Sequence, residues 1–117
     1  MHKLEDLKIW KKAMLVTEEV YQLSASFPKD ERFGLTSQIR RSAVSVPSNI
    51  AEGAGRNSKG EFVQFLGIAN GSLYELQTQL LLASKFDFVT KNKVNEIIEN
   101  VIEILRMNYA LIKTLKK

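Results

Sequence analysis

The stretch Arg40–Arg56 reads RRSAVSVPSNIAEGAGR. It is one helix, two short helices about Pro47, or a binding loop, and the choice sets the number of elements in the fold. Leu35, Ile39, Ala43, Val46 and Ile50 recur at steps of three and four on both sides of the proline, which is the period of one helix face. A proline inside a helix lacks the N–H that would reach the carbonyl four residues back, here Ala43, at a cost of about 3 kcal/mol. The apolar face nevertheless stays in phase across it. One helix kinked at Pro47 is therefore expected from about Leu35 to Ala51. The Ser45 and Ser48 hydroxyls flank the proline and are placed to serve the backbone groups it frees. Gly53 and Gly55 then offer the left-handed geometry of a helix stop.

Upstream, Leu7, Trp10, Ala13, Met14, Thr17, Val20 and Tyr21 mark one face of a first helix, from Leu4 to about Ala25. Glu5 and Asp6 sit in its first turn, where carboxylates favour the helix dipole. The segment SFPKDERFG breaks the pattern, because the residue before a proline is pushed toward extended backbone. Downstream, Ser58-Lys59-Gly60-Glu61 fits a capping box. Phe62, Leu66, Ala69, Leu73, Leu76, Leu80 and Ala83 follow as an unbroken heptad seam. The seam runs through Asn70-Gly71, which is therefore read as helix and not as a hairpin turn. Gly67 and Gly71 are read as sites of close helix packing. Thr90 is a candidate N-cap for a last helix. That helix carries two apolar seams, Val94, Ile97, Val101, Ile104, Asn108, Leu111 and Leu115 in one and Ile98, Ile102, Leu105, Tyr109 and Ile112 in the other. Either it is deeply buried or its second stripe meets another subunit. Four amphipathic segments, short connections and no alternating strand predict an all-α, up-down four-helix bundle forming a single domain over residues 1–117.

Composition narrows the chemistry. There are no cysteines, which excludes disulfides, thiolate metal sites and a cysteine nucleophile. The N-terminal stretch carries charges throughout and lacks the apolar run of a secretory signal, and no segment is long and apolar enough to span a bilayer, so a cytoplasmic protein without membrane attachment is expected. The single histidine, His2, stands at the start of the chain, and no Glu-x-x-His pair is present to build a di-metal site. No phosphate-binding glycine motif and no singled-out carboxylate pair appears. No catalytic residue, metal or cofactor is predicted, and the chain is read as a non-enzyme. Trp10 and the six phenylalanines are read as core or interface by their spacing and not as a platform for bases.

Net charge is +4, from 17 basic and 13 acidic residues. That excess permits attraction to polyanions without demanding it. The second helix and its exit concentrate cations: Arg40, Arg41, Arg56 and Lys59. Three readings of this region stand side by side. Glu52 pairs with Arg56 and the other arginines are solvated. Or the cations form a ridge for phosphate, aided by backbone N–H groups at the start of the third helix. Or Asn49, Glu52 and Arg41 lie in a subunit contact.

The blocks DLKIWKKAM, FGLTSQIRRSAVSVPSNIAEGAGR and EFVQFLGIANGSLYELQTQL, with the basic helical tail, resemble the 23S rRNA-intervening sequence proteins over nearly the whole chain. The resemblance implies a four-helix bundle that assembles into ring-like homopentamers. It also implies kinship with the accessory proteins of diversity-generating retroelements, which pair a basic surface with RNA and a reverse transcriptase. It puts weight on Gln38, Arg40, Arg41, Ser45, Pro47, Asn49, Glu52, Gly53, Gly55 and Arg56. Asn70 stands where relatives often carry a basic residue, which weakens any cationic role for the third helix. The expected function is thus an oligomeric, non-enzymatic bundle that binds RNA, directly or beside an RNA-binding partner protein. Arg40, Arg41, Arg56 and Lys59 are its expected phosphate contacts, and Asn49 and Glu52 hold a neighbouring subunit. The alternative is a protein-interaction scaffold that uses Ile98 and Ile102 and has no role with nucleic acid.

Overall fold

The computed structural model describes residues 3–117; His2 lies outside the described residues. Four helices make up the molecule: α1 (Lys8–Ser24), α2 (Leu35–Ala54), α3 (Lys59–Lys85) and α4 (Lys91–Leu115). Short 3-10 turns at Leu4–Asp6 and Lys29–Glu31 precede α1 and α2. No strand occurs among the described residues. Each helix packs on its neighbours in the chain, and α4 closes the bundle against α1. The result is a rod of 45 × 23 × 21 Å.

The heptad seam of α3 is the spine of the core: Leu66, Ala69, Leu73, Leu76, Leu80 and Ala83 are all fully buried, and Phe62 nearly so. Ile39, Ala43, Val46 and Ile50 face it from α2, and Val94, Ile97, Val101 and Ile104 from α4. Ser58 accepts from Glu61 N at 3.1 Å and Thr90 from Lys93 N at 3.3 Å. These capping bonds satisfy backbone donors that a helix start leaves unpaired.

On α1 the buried face differs from the expected one. Ile9, Ala13, Val16, Val20 and Leu23 point inward, while Met14 and Tyr21 are exposed. This helix carries apolar residues on two adjoining stripes, and only docking against α2 and α4 decides between them. On α4 the second stripe divides. Ile98 is 9% exposed and Leu105 7%, so both belong to this chain's own core. Ile102 and Ile112 are half-buried, and Tyr109 is exposed.

α2 is one helix with Pro47 inside it. The carbonyl that the proline leaves without its usual donor, Ala43 O, accepts from Thr17 Oγ1 of α1 at 3.1 Å. The same hydroxyl lies 2.8 Å from Ala13 O, so its single proton is shared. The expectation that Ser45 and Ser48 do this work is corrected. Ser45 Oγ instead pairs with Ser72 Oγ of α3 at 2.6 Å and accepts from Asn49 Nδ2 at 3.1 Å, and Ser48 is exposed. With Ser42 Oγ donating to Glu75 Oε1 at 2.8 Å, these bonds tie α2 to α3 along a small-residue seam.

The glycines also differ from expectation. No glycine has a positive φ. Gly53 lies within α2, and a Cβ there would fall 2.7 Å from Phe65 Cβ and 3.0 Å from Phe62 Cδ1. Its role is close approach of α2 to α3. The reverse holds at Gly67 and Gly71, where an added Cβ meets no described atom within 4 Å. They face outward and do not mediate packing within the chain. Among the described residues, the left-handed one is Asp87, at φ 60° in the turn after α3, a conformation that Asp tolerates better than most side chains.

Among the described residues, each helix buries one polar side chain: Ser24, Ser42, Gln79 and Asn108. Asn108 is fully buried, and its Nδ2 donates to Leu66 O at 2.8 Å and to Asn70 Oδ1. The Asn108 Oδ1 has no partner among the described residues, but the two bonds from Nδ2 favour one axial register, because any slip would break them.

Candidate nucleic-acid interface

The four cations singled out in the sequence fall into two groups. Arg41 and Arg56 are 15 residues apart along α2 and its exit, or about 22 Å at helical rise. They therefore occupy different ends of the rod.

At the α2–α3 turn, Arg56 is already engaged. Its guanidinium lies 3.5 Å from Glu52 Oε1 and 3.9 Å from Glu61 Oε2, and sits over the Phe65 ring at 4.9 Å. All three charged side chains are substantially exposed, so these pairs contribute little to stability. They do place two carboxylates beside one arginine. At the start of α3, Ser58 Oγ takes the Glu61 N–H, one of the groups expected to aid phosphate binding, and the Glu61 carboxylate stands beside it. Lys59 is exposed and makes no ion pair among the described residues.

At the other end the arrangement is different. Arg40 leans from α2 onto the end of α1. Its Nε donates to Ser24 Oγ at 2.8 Å and its Nη2 to Tyr21 O at 3.3 Å, and its guanidinium lies 4.6 Å from the Tyr21 ring centroid. Two of its five N–H groups are used, so three remain for an incoming acceptor. Arg41, the next residue, is exposed. Arg32, in the turn before α2, sits 5.4 Å over the Phe33 ring. Phe33 is itself 90% exposed. These side chains, with Thr36, Ser37 and Val44, line a groove of about 530 Å³ between α1 and α2. A second recess of about 460 Å³ shares Arg32, Thr36 and Arg40 with it and adds Lys29. No carboxylate lines either recess among the described residues. Glu31 stands next to Arg32 in sequence, but its Oε1 accepts from Leu35 N at 3.1 Å, where it caps α2.

The local sequence explains this geometry. Pro28 and the 3-10 turn Lys29–Glu31 end one helix and redirect the chain. They bring Arg32 and Phe33 to the mouth of the groove. The helix period then places Arg40 and Arg41 one and a half turns into α2. Arg40 and Arg41 were legible as candidates; Arg32, Phe33, Lys29 and Tyr21 were not. The available signal was an aromatic flanked by arginine in a loop, in RFG; the segment reads as a helix break and Phe33 as core or interface, and its exposure corrects the core reading.

The adjoining face, between α1 and α4, has the reverse character. The groove between α1 and α4 is lined by Glu18, Glu19, Lys12 and Asn100, and Asn100 Nδ2 donates to Glu19 Oε1 at 3.0 Å. Glu99 and Glu103 continue it beside Arg106. No three His, Asp or Glu side chains among the described residues converge to hold a metal. The Tyr109 phenol is pushed above its ordinary 10.0 by a hydrogen bond to Tyr74, by the repulsion their charges would feel, and by slight desolvation. Among the described residues, no helix is long and apolar enough to cross a membrane.

The profile of the family described as 23S rRNA-intervening sequence protein matches residues 5–110. The chain belongs to this family. The match takes in all of α1, α2 and α3 and most of α4. Among solved structures, the bundle is similar to a protein of unknown function from the S23 ribosomal protein family of Bacteroides thetaiotaomicron. The two are 23% identical, with a TM-score of 0.80, over 90% of this chain and 98% of the other. At that identity the likeness concerns the fold. No curated protein matches. Membership in the 23S rRNA-intervening sequence family agrees with the bundle and leaves its surfaces to be read from this chain's own residues.

Proposed function

We propose that this protein is a non-enzymatic, self-assembling helical bundle that binds RNA through the groove between α1 and α2. The observation that carries the reading is the groove's lining. Arg32, Arg40, Arg41 and Lys29 are interleaved with Tyr21 and Phe33, without a carboxylate among the described lining residues. A polyanion with π-faces meets complementary groups there: guanidinium N–H groups for phosphate and aromatic rings for bases. One chain offers few contacts. Five chains at +4 each would carry about +20, so an assembly would join many weak contacts into usable affinity. Arg56 and Lys59 form a separate and partly neutralised patch, secondary in this reading.

Self-association is supported by the outer face of α3. Gly67, Gly71, Tyr74 and Leu81 recur there at the heptad step, with Ile68 alongside. Tyr74 is 55% exposed and Leu81 48%. This face, with Tyr109 beside it, is a better candidate for a subunit contact than Ile98, which the chain's own core already buries. Asn49 is half-buried and bonded to Ser45 O at 2.8 Å, which leaves less of it for a subunit contact. Glu52 remains available only beside Arg56. The same α3 face favours the second reading, a scaffold whose partner is another protein and whose positive charge is incidental.

Fluorescence anisotropy with a labelled RNA, repeated across salt concentrations, tests the proposal. The logarithm of the affinity should fall linearly with the logarithm of salt. Arg41→Gln and Arg32→Gln should each reduce the slope by about one. Absence of binding, or binding indifferent to salt, would sink the RNA reading and leave the scaffold.

A further inference from the structure

We propose that the α1/α2 groove selects unpaired RNA, with one base stacked on the open face of Phe33 and the flanking phosphates held by Arg32, Arg40 and Arg41; this rests on the RNA-binding reading above. Phe33 is the starting point. At 90% exposure it contributes nothing to the core, and it stands at the mouth of a groove rich in cations. An apolar ring left in water beside guanidinium groups has a surface to offer a ligand.

Arg32 covers one face of the ring at 5.4 Å and leaves the opposite face bare. A base placed there completes an arginine–phenylalanine–base stack, and the cation over the far side strengthens the ring's attraction. Arg40 is held in place by Ser24 and Tyr21, so its remaining N–H groups are presented without further ordering. Arg41 is unpaired among the described residues and lies on the same wall.

The choice between unpaired and duplex RNA follows from what each exposes. In an A-form duplex the base faces are covered by their neighbours, and the deep major groove is closed to side chains. A duplex could engage the arginines through its phosphates but would leave Phe33 in water. An unpaired nucleotide can turn its base onto the ring while its phosphates reach the arginines. The groove therefore recognises a strand, loop or bulge, with little preference among bases, because every base has a π-face.

The test uses the purified protein, a labelled oligouridine single strand and a labelled blunt-ended duplex of two complementary RNA strands, without a loop, with the same number of phosphates. The single strand should bind about 5- to 150-fold more tightly, the range for one stacked base. Phe33→Ala should weaken the single strand by a similar factor while leaving duplex affinity and the salt slope unchanged, and Phe33→Trp should retain the preference. Phe33 is outside the core, so these variants keep the fold, which circular dichroism confirms. Arg41→Gln should weaken both RNAs alike. Equal affinities for strand and duplex, with Phe33→Ala neutral, would overturn this inference and leave the RNA-binding reading standing. Failure to bind either RNA would instead remove the reading beneath it. A change in particle mass on Phe33→Ala, read by light scattering, would assign the ring to a contact between copies and overturn the inference as well.

Discussion

Gly53→Ala is expected to destabilise the bundle, although the same change elsewhere in a helix stabilises it. Alanine is favoured over glycine in a helix interior by about 1 kcal/mol. At Gly53 the added carbon would sit 2.7 Å from Phe65 Cβ and 3.3 Å from Phe62 O. Ordinary carbon–carbon contact is about 3.5–4.0 Å. Phe65 Cβ is fixed to the α3 backbone and cannot rotate away, so relief requires α2 and α3 to part. Overpacking of this kind costs about 1–3 kcal/mol, and parting the helices also strains the Ser45–Ser72 and Ser42–Glu75 bonds. After the gain in helix propensity, a net loss of about 1–2 kcal/mol is expected, or roughly 4–8 °C in Tm for a chain of this size. Gly67→Ala and Gly71→Ala meet open space in the single chain. Each should gain about 1 kcal/mol there. Thermal and urea unfolding followed by circular dichroism would read all three, with light scattering at the same concentrations. Gly53→Ala as stable as the parent protein would refute the close-approach account. A loss of stability with a smaller particle at Gly67→Ala would show that a second chain covers the outer face of α3.

Three further outcomes follow from the same contacts. Thr17→Val should cost about 1–3 kcal/mol by leaving Ala43 O without its donor. The cost should shrink by about 1 kcal/mol or more in a Pro47→Ala background, where a backbone N–H becomes available, and a double-mutant cycle in urea measures that coupling. Ser58→Ala should remove about 1 kcal/mol by uncapping α3, read by the same unfolding assay. Tyr74→Phe should return the Tyr109 phenol toward its ordinary value, which ultraviolet titration would report. Because the folded-state value is raised, the Tyr109–Tyr74 interaction helps stability below pH 10 and is lost as pH rises through the folded value.

The fold was legible wherever one apolar period was unambiguous. The seams of α2 and α3, the Ser58 and Thr90 caps, and helix continuity through Pro47 all follow from spacing and short-range chemistry. What sequence left open depends on the partner across the core. On α1 two apolar stripes compete, and the burial of Val16 and Leu23 rather than Met14 is settled by α2 and α4. Gly53 and Gly67 are the same residue type in helices, yet one touches a neighbouring helix and the other nothing in the chain. The carbonyl freed by Pro47 finds its donor 26 residues upstream, in Thr17. The candidate site was half legible for the same reason. Arg40 and Arg41 share a helix and stood out together. Tyr21, Arg32 and Phe33 join them only because the turn at Pro28 folds α1 back beside α2.

The most direct measurement of the central claim is ultraviolet crosslinking of a bound single-stranded RNA, with the crosslinked peptides mapped by mass spectrometry. Crosslinks should fall on Tyr21 and on the segment from Lys29 to Val44, with Phe33 foremost. Crosslinks confined to the α3 and α4 faces, or to Arg56 and Lys59, would contradict the assignment of the α1/α2 groove as the RNA site.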